Sequence, residues 1–372
     1  MDAMPILTAT LTKAESAEYA PSRQKKALVR RALPDRSQQI RRAVQFAFLS
    51  LNAVIGAQFV LWERSFEVAG GSTSIQRPAG VDGWLPIAGL MNLRYFLVTR
   101  QIPAIHPSAM VLLCVFLLAS LLVKKSFCSW LCPVGTFSEY LWKLGRKIYR
   151  LNFTIPFWLD LPLRSLKYIL LAFFVFIVFT MSQHQLGEFL KSPFSIVADV
   201  KMLNFFRYIG TVGIAVIAIL AFLSLLIQNF WCRFLCPYGA LMGLVSLLSP
   251  VKIRRDQQAC IDCGKCNKGC PSHLPVDRIV QIRSVECTGC MECVAVCPAE
   301  NALQLSLPPR RQPDAVSARW RLRALKPQAI AAIIALVFLG LVAAARLSGH
   351  WQTNISREVY MQLVPNAENI DH

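Results

Sequence analysis

Five stretches of this chain are apolar over roughly 20 residues, the length that crosses a hydrocarbon core. They fall at about 43–62, 107–123, 166–182, 208–228 and 328–345. In a bilayer, each backbone N–H and C=O must find its partner without water, so these stretches are expected to be helices. The rest of the 372 residues must be arranged around them. Composition agrees: 55% of residues are hydrophobic and the mean hydropathy is +0.44, too apolar for an ordinary soluble domain. The second stretch ends at Lys124-Lys125. A sixth apolar piece, 240–248, is too short to cross and is predicted to lie at the membrane surface.

The formal net charge is +19. In a soluble protein that would suggest nucleic acid; in a membrane protein, basic residues collect on the cytoplasmic side. With the N-terminus inside, the loops predicted to be cytoplasmic (1–42, 124–167, 233–326) hold 31 Lys and Arg, and the opposite loops hold 9. This predicts an inner N-terminus, an outer C-terminus and no nucleic-acid partner. It also places all twelve motif cysteines at the cytoplasmic face; Cys114 alone lies inside a span. Residues 1–42 read as a basic, mobile cytoplasmic arm ending in a short surface helix, with the first span as a signal anchor rather than a cleavable signal peptide.

An internal repeat follows. The second and fourth spans each run into one signature, "FCSWLCPVG" at 127–135 and "WCRFLCPYG" at 231–239. Each copy follows a helix pair, which reads as a duplicated two-helix unit. The predicted domains are the arm (1–42), a four-helix membrane domain with both CxxxCP motifs (43–250), a cysteine-rich unit (251–310), a linker (311–327), a fifth transmembrane helix (328–345) and an outer tail (346–372). The stretch "SLPPRRQPDAVSA" at 306–318 reads as a proline-rich linker, and the tail as the least ordered outer part.

The cysteine-rich unit carries C-x2-C-x2-C-x3-C-P twice, at 260–271 and 287–298. Three closely spaced cysteines can wrap one iron–sulfur cube; the fourth cannot easily curl back and ligates the other cube. On that logic Cys260, Cys263, Cys266 and Cys297 hold one [4Fe–4S] cluster, and Cys287, Cys290, Cys293 and Cys270 hold a second. A zinc ribbon would separate two CxxC pairs by a longer gap. Disulfides belong to short secreted chains rather than to a chain of membrane helices. Gly264 and Gly289 let the backbone pass close to the sulfurs. This unit resembles the bacterial two-cluster ferredoxins over about residues 256–305, which implies one-electron transfer and a compact fold of short hairpins and helices.

Cys128 and Cys132, and Cys232 and Cys236, are spaced i, i+4. On a helix such pairs share a face at ~6 Å between Cβ atoms, too far for a comfortable disulfide and suited to two ligands of one centre. If the two halves pack about a pseudo-two-fold axis, four thiols meet as a third metal or redox-thiol site. The alternative is that these cysteines only pack as small apolar residues before a helix-starting proline.

Membrane helices with two CxxxCP motifs, followed by paired ferredoxin motifs, resemble the polyferredoxin membrane proteins of NapH, NosR and CcoG type over about residues 43–305. The resemblance implies an α-helical integral protein of the bacterial inner (cytoplasmic) membrane with an inserted cytoplasmic α+β ferredoxin-like domain. It also implies electron exchange between the quinol pool and a partner redox protein. Two departures stand out: nothing in 1–42 matches the flavin-bearing outer domain of NosR, and only 27 residues follow Ala345 where CcoG carries a β-sandwich. No flavin or haem is expected, since there is no CxxCH and no second histidine pair.

His106 and His184 flank predicted spans on the outer side. With Glu188 and Asp199 they form the candidate quinol or proton site, against the plainer reading of interfacial caps. Trp62, Trp130, Trp142, Trp231 and Trp351 need only the aromatic belt at helix ends to explain them. Three functions remain at this point: an electron-transfer subunit, a copper reductase of CcoG type using the CxxxCP thiols, and a redox-sensing scaffold.

Overall fold

A computed structural model describes residues 28–31, 35–68, 75–150, 153, 155–311 and 320–370. Its longest element, α1 (Ser37–Val68), has 32 residues, about 48 Å at 1.5 Å per residue. That exceeds a ~30 Å hydrocarbon core, so both ends of α1 project and each is used. Arg41, near its start, is fully buried against the cysteine-rich unit, and Trp62 and Phe66, near its end, are buried at the far end of the molecule. Arg41 therefore belongs to the interior and not to a surface helix. Residues 1–27 lie outside the described residues, and Arg31 N reaches Pro298 O at 3.3 Å, so the last part of the arm is clasped to the cysteine-rich unit.

After α1 come α2 (Pro86–Thr99), α3 (Pro107–Leu122), α4 (Pro133–Tyr149), α5 (Phe157–Thr180), α6 (Gln183–Lys191), α7 (Pro193–Ile196), α8 (Ala198–Arg207), α9 (Thr211–Leu226) and α10 (Pro237–Val245). Proline opens α2, α3, α4, α7 and α10, where its missing N–H costs nothing and its fixed φ suits the first turn. Helices α2 and α10 both pack on α3, and α4 lies along α9. Among the described residues, three helices are long and apolar enough to cross a membrane: α1, α5 and α13 (Pro327–Leu347). A fourth crossing arises only if α8 and α9, bent by 85°, count as one span. Helix α3 has 16 residues, about 24 Å, and falls short of a full span. The apolar piece predicted at the surface is α10, whose Ala240 and Met242 are fully buried against α3 and α5.

The cysteine-rich unit sits between β1 (Lys252–Arg255) and β2 (Leu303–Arg311), with the short helices α11 (Lys265–Lys268) and α12 (Glu292–Ala295) inside it. Strand β2 pairs antiparallel with both β1 and β3 (Trp320–Ala324). The described part of the predicted linker is therefore mostly strand, at 306–311 and 320–324, and residues 312–319 lie outside the described residues. Its prolines, Pro308 and Pro309, fall where the register shifts between Leu307 and Arg310, the irregularity at which a missing ladder donor is tolerated. One contiguous core runs from Leu112 and Val115 of α3 through Trp130 to Ile253, Leu305 and Ile330, so membrane and ferredoxin units share their interior.

At the far end a second core joins Phe59, Trp62 and Phe66 to Tyr360, Val364 and Ala367. These last residues belong to the tail, which was expected to be the least ordered part. Instead it carries α14 (Arg357–Leu363) and folds back, with Asn354 N donating to Ala104 O at 3.1 Å. The tryptophans follow the same pattern. Trp62, Trp130, Trp142 and Trp351 are buried in packing rather than ranged along a belt, because each finds an aromatic, cationic or backbone partner inside.

Candidate metal centres

The two ferredoxin loops are built alike. In each, the residues flanking the second cysteine take left-handed backbone: Asp262 and Gly264 around Cys263, Gly289 and Met291 around Cys290. Each loop thus uses one glycine and one larger residue, and Gly264 and Gly289 occupy opposite members of the pair. Two left-handed residues curl the chain around the cysteine and turn successive amides inward. Cys260, Cys263, Cys266 and Cys297 line one small cavity. Cys270, Cys287, Cys290 and Cys293 line another. The fourth cysteine of each motif has crossed to the other loop. None of the cysteines forms a disulfide.

Both CxxxC segments are π-helical turns, Phe127–Leu131 and Trp231–Leu235, rather than the expected α-helix. The bonds Cys132 N to Phe127 O (2.9 Å) and Cys236 N to Trp231 O (3.0 Å) close them. The cause is local: proline follows each second cysteine and forces it into extended backbone, ψ 119° at Cys132 and 105° at Cys236. The next helix then starts at the sulfur. Gly239 N lies 3.3 Å from Cys236 Sγ, so an amide at a helix N-terminus faces a would-be thiolate. At the matching position a Cβ on Gly135 would stand 2.2 Å from Cys128 O, so only glycine fits there.

All four CxxxCP cysteines face one cavity. The Lys125 ammonium is buried beside Cys128, Cys232, Cys236 and Glu286. A buried cation offsets the charge that several thiolates bring to one place. Ligands of a single tetrahedral ion at ~2.3 Å stand about 3.8 Å apart. Among the described residues, no three cysteine sulfurs lie within 4.8 Å of one another.

The first π-turn is stitched to the second ferredoxin loop. Ser129 Oγ donates to Thr288 O at 2.7 Å, and Trp130 Nε1 to Gly289 O at 3.4 Å. Around this seam Arg41 binds Glu139 through two bonds of 2.5 and 2.6 Å and reaches Glu292 at 3.1 Å. Lys143 joins both carboxylates, and Gln38 donates to Cys290 O at 2.9 Å. Lys167 holds both Glu286 oxygens at 2.7 Å. Cys128, Cys232 and Cys290 line a shared polar crevice. Helix α12, which bears Cys293, in turn packs on α11, which bears Cys266 of the other set. The three cysteine sets therefore form a row, ending at Cys263, which is exposed.

The candidate proton site divides. His184 and Glu188 are exposed on α6. His106 and Asp199 come together, with two residues that the sequence did not single out, Arg77 and Asp82. His106 is 1% exposed. Its Nδ1 lies 2.8 Å from Asp82 Oδ1 and 3.0 Å from Arg77 Nη2, and its Nε2 lies 2.9 Å from Ser195 O. Arg77 binds Asp199 at 2.7 Å and also binds Asp82. Burial opposes charge on His106, but the Asp82 carboxylate outweighs it and raises the imidazole above its ordinary value. Burial likewise opposes the Asp82 carboxylate, and Arg77 and His106 overcome it, holding it well below the usual range. Asp82, His106 and Asp199 have the spacing of a metal site, but the Arg77 guanidinium already supplies the positive charge there. Thr353 of the tail touches both His106 N and Arg77, at 3.3 and 3.4 Å.

Residues 105–152 and 209–256 match the 4Fe-4S binding domain family, and residues 252–298 match the 4Fe-4S dicluster domain family. The chain is 48% identical to YccM of Escherichia coli (strain K12), a candidate electron transport protein, over 89% of this chain and 91% of YccM. It is 27% identical to the ferredoxin-type protein NapH of the same organism, over 47% of this chain and 59% of NapH. It is 30% identical to the regulatory protein NosR of Pseudomonas aeruginosa, over 48% of this chain and 24% of NosR. No solved structure matches it. Apolar helices joined to ferredoxin-type iron–sulfur domains define a membrane electron-transport protein. The chain belongs to the NapH/NosR-type polyferredoxin family, alongside YccM.

Proposed function

We propose that this protein moves electrons between the quinol pool and a cytoplasmic redox partner. Cys260, Cys263, Cys266 and Cys297 would hold one [4Fe–4S] cluster, and Cys270, Cys287, Cys290 and Cys293 a second. Cys128, Cys132, Cys232 and Cys236 would hold a third iron-containing centre. When bound, such centres supply one-electron transfer at potentials set by charge and hydrogen bonding. The chain's part is to hold the three sets in register and to keep water from the inner two. Trp130, Phe127 and Met291 bury the seam between them. The exposed Cys263 end is where a soluble partner would dock.

The observation that carries this reading is the seam itself: Ser129 and Trp130, inside one CxxxCP motif, bond directly to the loop that bears Cys287 and Cys290. The distribution of Lys and Arg supports placing the ferredoxin unit in the cytoplasm and the C-terminus outside.

The test is anaerobic purification with iron and sulfide counting, followed by electron paramagnetic resonance during titration with a quinol analogue. Signals from two interacting clusters that grow with added quinol are expected. Protein holding zinc in place of iron, or clusters that only strong chemical reductants reach, would overturn the reading.

A further inference from the structure

A cavity of about 1020 Å³ lies between α1, α3 and α13. The four CxxxCP cysteines form its floor. Beside them stand Phe127 and Tyr238, their rings edge to face at 5.7 Å. The mouth is formed by Leu51 and Val54 of α1 and Leu339 of α13, which also line the cavity. Leu51, Val54 and Leu339 are 41%, 64% and 63% exposed, on two helices long and apolar enough to sit in a bilayer. Whatever enters between them must already be dissolved in the membrane. The volume is at the upper end of the ~300–1,000 Å³ usual for small-molecule sites, room for a ring and a length of chain.

We infer that this cavity binds a lipid-soluble quinone, its ring against Phe127 and Tyr238 at the cysteine floor and its isoprenoid chain leaving between α1 and α13. The inference rests on the proposed exchange with the quinol pool and names where on the chain it occurs. Flat aromatic edges suit a planar ring, and the cysteine floor puts that ring beside the membrane-side redox set. The His106 cluster is a poorer candidate. Both ring nitrogens of His106 are engaged, and its carboxylates are balanced by Arg77. A phospholipid chain would fill the apolar volume but has no use for the thiol floor.

Trp84 and Trp351 line the same cavity, so their fluorescence reports occupancy. The experiment takes the full chain, in phosphatidylcholine nanodiscs free of quinone, and titrates decylubiquinone. Saturable quenching is expected. It should be lost in Val342→Phe, which narrows the cavity from α13, and retained in Ile214→Phe, on a face of α9 that does not line it. A photoreactive azidoquinone should mark peptides containing Phe127 or Tyr238. Quenching that never saturates, an equal response in both variants, or adducts confined to α5 and α9 would overturn the proposal. Iron content and chemical reducibility are read on the same samples. Intact binding with no electron transfer would count against the function alone, and normal reduction by quinol without saturable binding would count against this site alone.

Discussion

Ser129, between the cysteines of the first CxxxCP motif, donates its hydroxyl to the carbonyl of Thr288, between the first two cysteines of the second ferredoxin motif, at 2.7 Å. Trp130 Nε1 adds a bond to Gly289 O, so two segments 159 residues apart in sequence are joined and the membrane and ferredoxin units act as one body.

Arg41 secures that body. Replacing it with Met leaves the buried Glu139 carboxylate with Lys143 as its remaining ion-pair partner and the Gln45 amide as a neutral donor. Breaking one side of a buried pair typically costs about 3 kcal/mol or more. We expect Arg41→Met to lower the unfolding temperature in detergent and to speed proteolysis between the two units. An unchanged melt would mean that the network contributes little.

The two CxxxCP glycines should behave differently. A Cβ at Gly135 collides with Cys128 O, whereas at Gly239 it meets Cys232 O at an ordinary 3.6 Å. Gly135→Ala should therefore deplete iron associated with Cys128 and Cys132, and Gly239→Ala should leave it near the wild-type amount. Metal analysis of the two purified variants decides this. Equal loss in both would show that the motif tolerates no side chain for some other reason.

Crossed ligation separates Cys270 from its own motif. Cys270→Ser should disturb the paramagnetic signal of the set containing Cys287, Cys290 and Cys293. Cys297→Ser should disturb the set containing Cys260, Cys263 and Cys266. Spectra showing each serine acting within its own sequence motif would refute the crossing.

The far-end network should make stability depend on pH. His106 has its folded value raised above 6.5, so its stabilisation is fully present below that pH and is lost as pH climbs through the raised value. Asp82, with its value lowered, contributes above the ordinary 3.8 and loses that contribution as pH falls. Melting curves of the wild type should decline on the alkaline side of 6.5, and His106→Gln should be lower at neutral pH and lack that decline. Parallel curves for both proteins would remove His106 as the cause.

The twelve motif cysteines, their duplication and the apolar helices were legible because each is a local pattern: ligand spacing, repeated signature, uninterrupted hydrophobic length. The π-turns were not, although the proline that causes them was in view, since i, i+4 spacing fits either helix type. Arg41 read as one more basic residue of an arm, because its partners Glu139 and Glu292 are about 100 and 250 positions away. The stretch at 306–311 read as linker on its prolines, and pairing with β1 and β3 overrode that local preference. The tail looked disordered from its position, yet Tyr360, Val364 and Ala367 find a core waiting at the end of α1.

The sequence alone determined which residues can grip iron and which segments prefer a bilayer, because ligand chemistry and helix length act over a few neighbouring residues. Tertiary structure alone decided that the three cysteine sets stand in a row, that a cavity opens beside the membrane-side set, and that Arg77 joins His106 in a closed network. Those outcomes depend on contacts between segments far apart in the chain, whose geometry is set by packing rather than by any local pattern.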